Sequence, residues 1–204
     1  MSRPPGVPKQ PYHHGNLREA LIRAAAELVS ERGLEGASLR EVARRAGVSH
    51  GAPYHHFKSK ERLLAALADV GFADLDRALA QAQARADSDP RAQLEALGAA
   101  YVRFAVEQHE MFRAMFRASA KEPSAEGPFG RLLRAVTGCL AGSSPTADDS
   151  MRAALFGWCA IHGLTALWLD GPIRREHGPQ RDVEELSAYV SRVFASWVAG
   201  GAPE

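Results

Sequence analysis

Trp158, His162 and Thr165 stand at i, i+4 and i+7 of an uncharged run from Ala153 to Leu169, so on a helix they share one face. An imidazole and a hydroxyl among apolar walls are what a small-molecule site uses to orient a ligand. The same His162 could equally be a core histidine hydrogen-bonded to a backbone carbonyl. Phe104, Met111, Phe112, Met115 and Phe116 concentrate aromatic and methionine side chains upstream, and Trp168 lies six residues beyond His162. Methionine adapts to irregular ligands. Together these nine residues form a candidate pocket for a small hydrophobic or aromatic effector whose one polar group is taken by His162.

A second group has a different chemistry. Ser49, His50, Ala52, Tyr54, His55 and Lys58 crowd into ten residues. Small, polar and cationic groups on an exposed helix suit entry into the major groove of double-stranded DNA. Lys58 and Tyr54 suit phosphate contact, whereas His50, Ala52 and His55 suit base edges. Ser38, Arg40, Gly51 and Lys60 complete the candidate DNA-contacting set. The bland alternative is a helical hairpin with a solvated charged face.

Catalytic and metal chemistry find no support. There is no G-x-S-x-G, P-loop, H-E-x-x-H or dinucleotide fingerprint. His109, Glu110, Cys139, Cys159 and His162 offer no recognisable catalytic spacing, so the chain reads as a non-enzyme without cofactor. His13-His14 and His55-His56 are adjacent pairs; neighbours on a helix point about 100° apart, so His55-His56 cannot chelate as an i, i+4 pair can. No metal site is expected.

The elements that must position these residues are helical. Ser38 can cap a helix and Glu41, three residues on, can complete a capping box. Leu39, Val42, Ala43 and Ala46 form its apolar stripe, with Arg40, Arg44 and Arg45 opposite. Gly47 suits a left-handed stop, and Ser49 can cap a second helix held inward chiefly by Pro53 and Phe57. A proline is tolerated in a first helical turn but breaks an interior, so this helix should start late, near Gly51 or Ala52.

Elsewhere, Asn16 opens a helix to Gly33, and Ser59 caps one running to about Ala86. Further helices are expected from Pro90 to Gln108, His109 to Ala120, Phe129 to Leu140, Ala147 to Leu169 (capped by Thr146, with Asp148 and Asp149 in its first turn) and Arg181 to Val198. Lys121 to Pro128, Ala141 to Pro145 and Asp170 to Pro179 read as loops or turns. No alternating run suggests a strand. Residues 1–15 read as a flexible arm, 16–62 as a helix-turn-helix domain and 63–204 as a helical body.

Composition agrees. The chain has 204 residues, 46% of them hydrophobic, with a net charge of +1. Residues 1–60 hold ten Lys/Arg against five Asp/Glu, and the remainder fifteen against nineteen. A basic end on an acidic body suits a phosphate-facing module. Cys139 and Cys159 lack C-x-x-C spacing and read as buried free thiols of a cytoplasmic protein. The uncharged run at 153–169 contains His162 and Thr165 and falls short of the ~20 apolar residues of a membrane span.

Near the C-terminus, Met151 and Leu155, then Val183, Leu186, Val190, Val193 and Trp197, carry more apolar surface than two adjacent helices hide alone. A twofold four-helix bundle would cover it, which makes the chain a candidate homodimer.

The segment from Tyr12 to Leu67 resembles the DNA-binding domain of the TetR (tetracycline repressor-like) family of bacterial regulators. The resemblance rests on Gly33, Ser38, Val42-Ala43, Ala46-Gly47-Val48-Ser49, Gly51, Tyr54, Phe57, Ser59-Lys60-Glu61 and Leu63-Leu64. Ala52-Pro53 departs from the family's usual threonine-leucine pair, limiting position 52 to apolar contact with a thymine methyl. Trp158, His162 and Gly163 resemble the Trp–His–Gly motif of one C-terminal class of the family. The resemblance implies an all-α dimeric transcriptional regulator, most often a repressor, released from operator DNA by a small-molecule effector, with Tyr54 on a phosphate. The alternative is a DNA-binding regulator with no small-molecule ligand, controlled by a protein partner.

Overall fold

The computed structural model describes residues 17–118, 126–140, 142, 144–171, 173 and 183–200, and among these all regular structure is helical. The expected arm, the Asn16 cap, the His13-His14 pair and most of the loops at 121–128 and 170–179 lie outside the described residues. The chain divides into two compact units, residues 1–67 and 68–204, five residues beyond the boundary expected from sequence.

The first unit contains α1 (Leu17–Gly36), α2 (Leu39–Arg45), a four-residue 3-10 turn (Ala52–His55) and the start of α3 (Lys60–Arg85). The expected stop at Gly33 is a break in α1, with φ 67° and ψ −178°, although the helix resumes as far as Gly36. Leu21, Leu28, Val29, Val42, Phe57, Leu63 and Leu67 are buried. The Ser38 hydroxyl accepts the Glu41 amide at 3.2 Å, but the Glu41 carboxylate does not return to the cap. It takes Arg44 Nε at 3.0 Å and Arg32 Nη1 at 3.2 Å instead. Those cations, Arg44 first, hold the Glu41 carboxyl down to about 2, so guanidinium groups outcompete one backbone amide for it.

The stop after α2 is built from backbone geometry. Gly47 has φ 69°, its amide reaches Arg44 O at 3.2 Å, and the Val48 amide reaches Ala43 O at 3.0 Å. These paired bonds satisfy the last carbonyls of α2. The turn that follows differs from expectation. An α-helix near Gly51 does not form; Ala52–His55 makes a single 3-10 turn, with Gly51 at its N-cap and no side-chain cap from Ser49. Pro53 supplies no amide, and only a few residues separate it from Ser59, whose hydroxyl accepts the Arg62 amide at 3.4 Å at the start of α3.

The second unit holds most of α3 and then α4 (Pro90–Glu107), α5 (His109–Ala118), α6 (Gly127–Leu140), α7 (Ala147–Leu169) and α8 (Val183–Ala199). Asp89 caps α4 ahead of Pro90. Thr146 caps α7 in a reciprocal box with Asp149. Helix α4 is the hub, packed against α8, α6, α7 and α5. One core cluster joins Leu75 and Leu79 of α3 to Leu97, Tyr101 and Phe104 of α4, Phe112 and Met115 of α5 and Ile161 of α7. A second joins Leu94, Val136, Leu140, Ala153 and Phe194. No helix among the described residues is long and apolar enough to cross a membrane.

Candidate functional site: a DNA-facing turn and an apolar cavity

On the first unit, the 3-10 turn is pinned beneath by Pro53 and Phe57, both buried, and displays its outer residues. Ser49, His50, Gly51, His55 and Lys58 are exposed, Ala52 and Lys60 half-buried, and the Tyr54 ring is 60% exposed. Arg40 is exposed on α2 and Ser38 is spent on its cap. Two other arginines are not available to a partner in the same way. Arg45 binds Glu27 at 3.1 Å and Glu31 at 2.7 Å, bracing α2 against α1, and Arg44 is held by Glu41.

Sequence reasoning missed a cationic cleft beside the turn, lined by Arg18, His56, Phe57, Lys58 and Arg62. The Arg18 guanidinium lies 5.5 Å from the centroid of the Phe57 ring, an attraction between cation and ring quadrupole that holds it there. Four cationic or protonatable groups around one concavity suit a phosphate. Arg18 and Arg62 are forty-four positions apart on different helices, so no local pattern signalled their convergence.

The second unit encloses a cavity of about 640 Å³, within the ~300–1,000 Å³ range of small-molecule sites. Its wall is mainly apolar: Phe72, Leu75 and Leu79 of α3, Leu94 and Leu97 of α4, Phe129 and Leu132 of α6, Ile161 of α7 and Phe194 of α8. Of the nine residues expected there, only Phe116 and Trp158 line it. Phe104, Phe112 and Met115 are buried core, and Met111 and Trp168 pack against the same cluster. Thr165 is fully buried, its hydroxyl donating to Ile161 O at 2.7 Å.

His162 stands one layer behind the wall. Its Nδ1 lies 2.8 Å from the Tyr101 hydroxyl, and that same oxygen accepts from Trp158 Nε1 at 3.4 Å. Tyr101 and Trp158, which line the cavity, therefore stand between His162 and its contents. The period-4 spacing of Trp158 and His162 was legible in the sequence. Tyr101, fifty-seven positions away from Trp158, was not. Burial raises the Tyr101 phenol far above its usual value and keeps it protonated.

Burial also holds the His162 imidazole below its ordinary 6.5, so the folded protein favours the neutral ring. As pH falls the unfolded chain takes up a proton at this position first. The stability contributed by the neutral ring is complete above 6.5 and is lost as pH falls through the lower folded-state value. The melting temperature should therefore drop as pH falls through and below 6.5, and drop less in His162→Gln. Parallel slopes for the two proteins would contradict this.

On α7 and α8, Met151, Leu155, Tyr189 and Val193 are exposed, as are Phe156 and Leu167, which sequence reasoning did not place on that face. Leu186 and Trp197 are half-buried. Val183 is buried in the core and Val190 lines the cavity, so these two face inward rather than towards a partner: α8 needs that stripe to close its own unit. Cys139 is half-buried and Cys159 exposed, not both buried as expected. Among the described residues, no group of three or more His, Cys, Asp or Glu is placed to hold a metal.

Comparison with known proteins identifies the class. The model of bacterial regulatory proteins, tetR family, matches residues 21–67. The tetracyclin repressor-like C-terminal domain matches residues 94–194; that description does not name the Trp–His–Gly class. The regulator BetI of Paraburkholderia phytofirmans is 31% identical over 192 residues, covering 88% of this chain and 94% of that protein. A Rhodococcus sp. RHA1 protein of unknown function has a solved structure 35% identical, with a TM-score of 0.77 over 94% of this chain and 100% of the other. The match to the repressor KstR2 of Mycolicibacterium smegmatis, 40% identical over 60 residues, covers 29% of this chain and spans only 28% of that relative's length. The chain belongs to the tetR family of bacterial regulatory proteins. Transcriptional regulation through DNA binding is the class of function that the family carries.

Proposed function

We propose that the protein is a homodimeric, ligand-responsive transcriptional regulator, acting as a repressor on a palindromic operator in the bacterial cytoplasm. The observation that carries this reading is the apolar cavity of about 640 Å³. A chain needing only to pack a scaffold or dock a protein partner would fill such a space, because each unfilled volume costs stability. The 3-10 turn presents His50, Ala52 and His55 to base edges. Tyr54 with the Arg18, Lys58 and Arg62 cleft takes phosphates. The exposed apolar residues of α7 and α8, Met151, Leu155, Phe156 and Val193, form the dimer seam. Two reading turns must then stand about 34–36 Å apart to meet successive major grooves. A hydrophobic effector that binds one helix arrangement better than another lowers DNA affinity by that differential and no more.

Binding-site selection on the purified protein tests the reading turn. Tyr54→Phe should weaken binding to all sequences alike, because a phosphate contact carries no base information. His50→Ala and His55→Ala should each relax preference at particular base pairs, worth about 1–3 kcal/mol per position. A changed consensus in Tyr54→Phe, with unchanged consensus in both histidine variants, would reverse the assignment.

A further inference from the structure

Resting on the effector reading of the cavity, we infer that its ligand is an uncharged, mainly apolar molecule whose carbonyl oxygen is taken by the Ser191 hydroxyl. Ser191 lines the cavity from α8 and is only 5% exposed. Among the described residues, its Oγ is a buried side-chain polar atom with no hydrogen-bond partner. Serine in a helix commonly bonds a carbonyl one turn back; Ser187, on the same helix, bonds Glu184 O at 2.9 Å. Ser191 instead turns its hydroxyl towards Gly98 of α4, where a Cβ would fall on Oγ. The absence of a side chain at Gly98 leaves this hydroxyl its room. A buried hydroxyl without a partner is costly; the oxygen is closed off where it now lies against Gly98, and a turn of its χ1 rotamer is the step by which it would meet an acceptor brought in by a ligand and lose that cost.

The rest of the polar wall is already engaged, apart from one position on the Tyr101 hydroxyl. The Tyr101 hydroxyl uses two of its three hydrogen-bonding positions on His162 and Trp158. Asp76 holds Arg131 through contacts of 2.6 and 3.0 Å. Asp69 and Glu126, the other carboxylates in the wall, also have partners within the protein. Among the described residues, no lysine or arginine lines the cavity. A carboxylate ligand would be buried without a counter-charge beside three acids, and an ammonium ligand would have to displace existing partners. A neutral acceptor meets neither cost, and Ser191 O–H donates to it.

Four compounds on one skeleton separate these cases, titrated into the full-length protein by calorimetry and by thermal shift: diphenylmethane, benzophenone, diphenylacetate and diphenylmethylammonium. Benzophenone should bind most tightly. Ser191→Ala should weaken benzophenone by about three- to tenfold, the usual worth of one neutral hydrogen bond, and leave diphenylmethane unchanged. Ser187→Ala should change neither. Unliganded Ser191→Ala should melt no lower than wild type, since it loses only an unsatisfied hydroxyl. Tightest binding by either charged compound, or equal loss of benzophenone and diphenylmethane on Ser191→Ala, or no loss of either, would overturn the inference while leaving the pocket intact. Binding of none of the four, with no shift in melting, would overturn the effector reading and the inference with it.

Discussion

Replacing Phe57 by Ala should abolish DNA binding while leaving most of the helical signal in place. Phe57 is 3% exposed, takes Pro53 O through its amide at 2.8 Å and supports Arg18 on its ring face. Truncating a buried phenylalanine costs about 3–5 kcal/mol. A unit below ~70 residues draws only about 3–5 kcal/mol from its core, so the substitution removes a quantity equal to the whole. The reading unit would then be about half unfolded near room temperature, and a turn held by one proline would not keep its side chains in register. Tyr54→Ala is the control: an exposed ring should leave the melting curve within about 0.5 kcal/mol and still weaken operator binding. A Phe57→Ala protein that bound operator within about threefold of wild type would show that the turn is held by something other than this core.

Leu132→Trp should produce a regulator that binds DNA but ignores its ligand. Leu132 lines the cavity from α6 and is half-buried against the second core cluster. An indole there occupies space that the effector needs. Overpacking a filled core costs about 1–3 kcal/mol, but beside an existing cavity the ring has somewhere to go, so melting should change little. Ligand affinity should fall at least about tenfold. Wild-type ligand affinity in Leu132→Trp would place the ligand elsewhere.

The fold was largely legible from sequence because its signals are local. The Ser38 and Thr146 caps, the Gly47 stop, the Pro90 start and the 3.6-residue apolar rhythm each declare themselves within one or two turns, and the structure has helices at those places. What failed was where two local effects compete or where distant helices meet. Pro53 pointed to a late start for the second helix of the hairpin, but the nearby Ser59 cap leaves space for only a 3-10 turn. Glu41 had the spacing of a capping box, yet Arg32 reaches it from the preceding helix.

The cavity was read from aromatic density, and density is also how a core looks. Phe104, Phe112 and Met115 proved to be packing. The walls come from six helices, and their Leu and Phe residues differ from core residues only by facing an empty space. His162 stands one layer behind the wall, a depth hidden from the sequence because its Tyr101 partner lies sixty-one positions away. Ser191 gave no sequence signal at all; an unpaired hydroxyl exists only once Gly98 has been brought against it.

The central claim is that occupying the cavity changes affinity for DNA. Its most direct test is the fluorescence anisotropy of a labelled duplex from the region upstream of this protein's own coding sequence, titrated with wild type and with Leu132→Trp, without and with saturating benzophenone. The account predicts that benzophenone raises the wild-type dissociation constant about 5- to 150-fold, the usual range of allosteric coupling, and leaves the Leu132→Trp value where it was. Calorimetric proof that benzophenone fills the wild-type cavity, together with an unchanged dissociation constant for the duplex, would contradict it.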